Sequence, residues 1–418
     1  MDIFWRQKTN LYAEDVALST VAKQVGTPCY VYSRAGIESN WRNYDRGFGT
    51  HPHSICYAVK ANSNLAVLSL LADLGSWFDI VSGGELERVL LAGGSADRVV
   101  FSGVAKSHDE LERALHTGIH CFDVESTGEL QRLDQIAGRL NKTARVALRV
   151  NPDVDAGTHP YIATGLKETK FGVGFDDAIS AYRMAAALPH IEITGIAAHI
   201  GSQITEAAPF IDALMRMLHL VEQLAAEGIT IRHLDIGGGL GIRYRDESPP
   251  SACSLIESVV DCVSRHNQDL KLYIEPGRSV VGTAGILLTT VEYLKSNGDR
   301  HFAVVDAGLN DFLRPALYKA WQGIVPIHLD RDAQGSLYDV VGPVCETGDL
   351  LGSQRELAIK TGDVLAIMDA GAYGHVMSSN YNSRPRPPEV LVDGNRFHVV
   401  RKRETIVQLT AGESVLPD

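Results

Sequence analysis

The 418-residue chain has six cysteines, at 29, 56, 121, 253, 262 and 345, and they include no Cys-x-x-Cys pair and no His or Cys at ligand spacing. A disulfide framework and a structural metal site are therefore not expected, and this cysteine usage fits a reducing cytoplasm. There is no basic stripe, and the net charge of −12 opposes phosphate-backbone binding, so nucleic acid is not an expected partner. No apolar run approaches membrane-spanning length, and Met1–Arg6 lacks the charged and apolar regions of a leader, so no membrane is expected either. Short-period repeats and low-complexity tracts are also missing.

What the chain has is an ordinary globular composition, 45% hydrophobic, and enough length for two domains. Eight short apolar, β-branched runs recur between residues 54 and 275: 54–60, 77–81, 98–102, 120–124, 145–151, 193–199, 233–236 and 271–275. Most gaps between them carry apolar residues at the 3.6 period of a covering helix, as in 64–74 and 210–220. Eight β-α units predict an α/β fold of the closed (β/α)8, TIM-barrel type, although an open doubly wound sheet shows the same alternation. After residue 276 the runs 286–293, 301–305, 336–341, 363–368, 389–392 and 397–400 alternate with turn residues, which predicts a second, β-rich domain of sandwich or small-barrel form. The expected division is a barrel over 30–276 and a β-rich domain over 277–418, with residues 1–29 packing on the latter.

Polar residues gather where these strands end, which in a barrel is the catalytic face. Lys60 closes the apolar run Cys56-Tyr-Ala-Val-Lys60. Desolvation there would favour a neutral amine able to condense with an aldehyde cofactor such as pyridoxal 5'-phosphate (PLP); a lysine that only caps a strand is the plainer reading. Asp79 lies in the second run. Gly237-Gly238-Gly239 allows backbone amides to approach an anion, or simply makes a tight turn, and it lacks the spacing of a nucleotide-binding glycine loop.

Glu275-Pro276-Gly277-Arg278 is the sharpest element. A carboxylate at a strand end can hold a pyridine nitrogen protonated, which strengthens the ring as an electron sink and suits decarboxylation. An arginine there would suit a racemase, and a Glu275–Arg278 salt bridge would merely tie the turn. His199 can stack on a planar ring, and Ser202 can donate to a phosphate. Cys345-Glu346 offers a proton donor beside an acceptor for an ammonium group, against the default of an inert buried thiol. Arg314 and Tyr373 offer a carboxylate clamp and a hydroxyl, or are surface residues.

Taken in order, Tyr57-Ala-Val-Lys-Ala-Asn62, His199-Ile-Gly-Ser202, Gly237-Gly-Gly239, Glu275-Pro-Gly-Arg278, Cys345-Glu-Thr-Gly-Asp349 and Gly371-Ala-Tyr373 resemble the fold-type III PLP-dependent decarboxylases over nearly the whole chain. The resemblance implies a PLP-binding barrel with a β-rich C-terminal domain. It implies Lys60 as the amine that holds PLP and His199 as the residue against its ring, with Glu275 at the pyridine nitrogen. Ser202, Gly239, Gly277 and Arg278 would bind the phosphate, and Asp79, Gly238 and Pro276 would also contact the cofactor. It implies a homodimer with shared active sites, in which Cys345 and Glu346 reach the partner's site and Cys345 supplies the proton. Arg278, Arg314, Tyr318, Glu346 and Tyr373 would then contact an amino-acid substrate, Tyr373 also touching the cofactor.

A second amino-acid end on the substrate needs a cation for its carboxylate and an anion for its ammonium, and Arg314 with Glu346 answers that need. The expectation is therefore decarboxylation of meso-2,6-diaminopimelate to L-lysine, the last step of lysine biosynthesis. A decarboxylase of ornithine, arginine or carboxynorspermidine is the alternative, followed by a racemase or a non-catalytic PLP-binding regulator.

Overall fold

The computed structural model describes residues 3–155, 170–266, 269–329 and 334–417. The chain divides into two compact units, one of Asn40–Arg243 with Glu247–Ser279, the other of Met1–Ser39, Tyr244–Asp246 and Val280–Asp418.

The first unit is a closed parallel barrel. Its strands are His53–Ala58, Trp77–Ile80, Val99–Phe101, Cys121–Val124, Ala144–Asn151, Ile191–Ala197, His233–Asp235 and Lys271–Ile274. They pair in sequence order, and the ring closes where Leu272↔His53 joins the eighth strand to the first. All eight expected strands are present, each ending up to two residues before its expected last residue.

Helices form in the gaps for the reasons their sequences suggest. Asn64 caps Leu65–Asp73 by accepting from the Ala66 amide, and Ser107 with Glu110 forms a capping box on His108–Thr117, which stops at left-handed Gly118 (φ 78°). Ala208–Ala226 buries Phe210, Leu214, Met217, Leu218 and Val221 at i, i+4 and i+7 spacing.

In the second unit, antiparallel and parallel pairings link Leu350–Leu357, Ser336–Val341, Arg300–Val305, Gly285–Asn297, Cys29–Ser33, Glu389–Asp393 and Arg396–Arg401 in that order. The run Cys29–Ser33 is thus a strand of the β-rich sheet, set between Ile286–Leu288 and Glu389–Val392. The barrel unit accordingly starts at Asn40, where the sequence alone suggested residue 30. The core of the β-rich unit explains the difference: Leu11, Val16, Val21, Cys29 and Val31 are buried together with Ile286, Leu288, Val390 and Val392. Leu350–Leu357 escaped sequence reading because Ser353 and Gln354 face solvent and a glycine interrupts the run.

Candidate active site

Lys60 lies in a turn, Val59–Ala61, directly after the first strand. Its Nζ donates to Asp79 Oδ2 at 2.5 Å, with the lysine side chain one-third exposed and the aspartate fully buried. The apolar run led us to expect a desolvated amine, but the folded chain instead sets the amine against a carboxylate from the neighbouring strand, because parallel register places Asp79 opposite Ala58.

The glycine turn follows the seventh strand and is tightly packed, with a backbone oxygen the nearest atom at each glycine. A Cβ on Gly238 would lie 2.0 Å from the Glu275 carbonyl oxygen, and one on Gly239 would lie 2.4 Å from that of Gly201. Gly237 and Gly239 both hold positive φ, 69° and 111°. Two of the three amides are engaged inside the protein: Gly237 N–H donates to Asp235 Oδ1 and Gly238 N–H to His199 Nδ1 (3.1 Å). The second bond makes His199 Nδ1 an acceptor. Burial, with Arg149 and Lys60 nearby, holds the imidazole well below the usual histidine range, so it is a neutral, flat ring.

Glu275 directly follows the eighth strand, and its backbone N–H is fixed by Gly237 O at 2.9 Å. Pro276 O accepts from Ala58 N–H, and a Cβ on Gly277 would lie 2.9 Å from that of Ala61, so the turn after the eighth strand packs against the lysine turn. Arg278, buried, donates to Ser202 Oγ at 3.0 Å. Burial, then the charges of Asp79 and Asp235, raise the Glu275 carboxyl well above its ordinary range. The barrel set, Lys60, Asp79, His199, Ser202, Gly238, Gly239, Glu275, Pro276, Gly277 and Arg278, therefore comes together at the carboxyl ends of the strands.

These residues fit PLP. The glycine cradle admits no side chain, Arg278 and Ser202 supply donors for a phosphate, and a primary amine stands at a strand end. The buried oxygens Asp79 Oδ1, Asp123 Oδ1 and Asp235 Oδ2 have no hydrogen-bond partner, as suits an interior built to face an added polar group.

Five further candidates lie in the β-rich unit. Arg314 opens the helix Arg314–Tyr318; it is buried, and its guanidinium lies 5.0 Å from the centroid of the Tyr244 ring, so it is no surface residue. Cys345 is exposed, which removes the inert-core reading of its thiol. Its N–H donates to Asn382 Oδ1, and the neighbouring Glu346 accepts from the Tyr381 hydroxyl at 2.5 Å. Asp349, buried, accepts from Leu309 and Val344 amides and so pins the base of this loop. Tyr373 holds φ 54° in a turn where a Cβ on Gly371 would lie 1.9 Å from Val281 O. Left-handed, non-glycine backbone of this kind costs about 1–3 kcal/mol and concentrates at functional sites.

Sequence reading gave no role to Ser102, Asp123, Asp235, Tyr381 or Asn382. The first three carry a legible signal, polar residues inside otherwise apolar barrel strands or at their ends, whereas Tyr381 and Asn382 carry none.

Residues 34–282 match the family described as pyridoxal-dependent decarboxylase, pyridoxal binding domain. The diaminopimelate decarboxylase of Pseudomonas aeruginosa is 57% identical over 417 residues, covering all of both chains. Two solved structures with L-lysine are similar: diaminopimelate decarboxylase from Helicobacter pylori (41% identity, TM-score 0.91, 94% of this chain and 98% of that one) and from M. jannaschii (36%, TM-score 0.94, 99% and 98%). A family match over more than half the chain and relatives matched along their whole length agree with the barrel site: the chain belongs to the pyridoxal-dependent decarboxylase family, in its diaminopimelate decarboxylase branch.

Proposed function

We propose that this protein decarboxylates meso-2,6-diaminopimelate to L-lysine and carbon dioxide, the last step of lysine biosynthesis, with PLP as cofactor. The observation that carries this reading is 57% identity running through both units without a gap in coverage, so that it spans the substrate candidates as well as the cofactor candidates. PLP, when bound, supplies an electron sink for the carbon that loses its carboxylate.

The protein's own residues do the rest. Lys60 is the amine that holds the cofactor, and Asp79 orients it. His199, neutral, offers an uncharged ring face. Arg278, Ser202 and the glycine turn bind phosphate, and Glu275 holds a proton at the pyridine nitrogen. Arg314 clamps the distal carboxylate of the substrate, a two-point contact that ornithine could not make, and Tyr318 and Tyr373 add hydroxyl contacts.

We further propose a homodimer with shared sites. In this reading Cys345 and Glu346 serve a partner's site, where Cys345 Sγ delivers the proton and Glu346 receives the distal ammonium; their exposure on a braced loop supports it. We also propose a cytoplasmic enzyme, a reading its six free cysteines support. Carbon dioxide release by the purified protein from meso-diaminopimelate, compared with L-ornithine and L-arginine, tests the reading. Turnover of ornithine or arginine equal to that of diaminopimelate would overturn the assigned substrate.

A further inference from the structure

Asp123, from the fourth barrel strand, Asp235, from the seventh, and Glu275 bring carboxylate oxygens within 4.8 Å of one another, all buried. The cations nearest this interior are committed elsewhere: Lys60 to Asp79, Lys106 to Glu129 and the carbonyls of Gly103 and Asp123, Arg149 to Glu125. Among the described residues no salt bridge reaches Asp123, Asp235 or Glu275. Asp79, the buried thiols of Cys56 and Cys121 and the phenols of Tyr182 and Tyr273 are the other titratable groups that face the cluster among the described residues.

Ser102, buried just after the third strand, sits between two of the three carboxyls. Its Oγ lies 3.1 Å from Asp123 Oδ2 and 3.2 Å from Glu275 Oε1. A hydroxyl has one proton and donates to one acceptor at a time. The second contact is therefore a hydrogen bond only when that carboxyl is itself protonated and donates to Oγ. Otherwise two lone pairs would oppose each other in a buried site, a costly arrangement. Burial raises Asp123 and Glu275 alike above the ordinary carboxyl range, in the direction this requires.

We propose that Asp123 and Ser102 form a proton relay to Glu275. When Asp123 Oδ2–H gives its proton to Ser102 Oγ, the proton already on Oγ passes to Glu275 Oε1. One O–H bond breaks at Asp123 and one at Ser102, one forms at Ser102 and one at Glu275, so a single proton crosses from Asp123 to Glu275 at constant total charge. Glu275 can then gain or yield its proton without water entering the barrel. Asp123 and Ser102 are positioning residues; the relay rests on the reading that Glu275 faces the pyridine nitrogen.

The test uses full-length holoenzyme, wild type and the variants S102A, S102T, D123N and E275Q. The wild type is expected to show infrared carboxylic-acid carbonyl absorption at neutral pH with one component, sensitive to H/D exchange, that D123N removes and S102A displaces. In S102A the midpoint of the pH-dependent visible absorbance is expected to rise by about one pH unit, the scale of one lost hydrogen bond to a charged group, and S102T, which keeps the hydroxyl, restores it. Acid absorption that is the same in wild type and D123N, with stoichiometric metal found by elemental analysis or without it, overturns the relay. So does an S102A titration that superimposes on wild type while E275Q shifts it. If E275Q also leaves the visible titration unchanged, Glu275 does not face the ring, and the relay falls with that reading.

Discussion

Gly238→Ala is a one-methyl perturbation whose size follows from the coordinates. The added Cβ would lie 2.0 Å from the Glu275 carbonyl oxygen and 2.9 Å from its carbon, both backbone atoms that no rotamer change can withdraw. To restore a 3.0 Å contact, the strand end carrying Glu275 must retreat by about 1 Å. Overpacking of this kind typically costs about 1–3 kcal/mol, and a unit of this size loses roughly 2–4 °C in Tm per kcal/mol. The functional loss is expected to be larger: a displacement of about 1 Å at a reacting group costs on the order of 100-fold in rate, and the same shift strains the Gly238 N–H bond to His199.

Thermal denaturation, PLP titration followed by visible absorbance, and kcat/KM from carbon dioxide release together make the assay. Gly128→Ala is the control. A Cβ there meets nothing within 4 Å, and alanine in helix Thr127–Arg139 gains at most about 1 kcal/mol. Wild-type PLP affinity and turnover in Gly238→Ala would refute the inference that the glycine turn and Glu275 are packed as one unit.

Glu275→Gln is expected to retain PLP yet lower turnover by orders of magnitude, since only the proton at the ring nitrogen is lost; near-normal rates would remove Glu275 from the chemistry. Arg314→Met is expected to weaken diaminopimelate selectively, and an unchanged kcat/KM would point to Arg278 as the carboxylate anchor. Asp369 is pushed up to about 7 by burial, above the unfolded value of about 3.9, so its contribution to stability is complete below pH ~4 and is lost as pH rises through 7. Asp369→Asn, which also tolerates the local φ of 54°, is expected to raise Tm above pH 7 with an advantage that fades toward pH 4; a constant offset would reject the titration. Finally, Lys60→Ala and Cys345→Ala proteins, each nearly inactive, are expected to recover roughly a quarter of wild-type activity after subunit exchange, because about half the dimers are mixed and each mixed dimer keeps one intact site. No recovery despite demonstrated exchange would place Cys345 in its own chain's site or outside it.

The barrel was legible because its information is local. Alternating β-branched runs and 3.6-period stripes name each strand and helix within a few residues of sequence, and the strand-end position of Lys60, His199 and Glu275 follows from that count alone. The same locality marks Cys345-Glu346 and Arg314 as chemistry-bearing without saying what surrounds them; only the fold shows Cys345 exposed and Arg314 buried.

What tertiary structure decided is whatever depends on residues far apart in the chain. Cys29–Ser33 joins the β-rich sheet because its hydrogen-bonding edges meet strands more than 250 residues later, a pairing no local pattern encodes. Asp79, Asp123, Asp235 and Glu275 read singly as polar residues in or beside apolar strands. Closing eight strands into a ring turns them toward one interior, where low polarity makes the Ser102 hydroxyl between Asp123 and Glu275 matter.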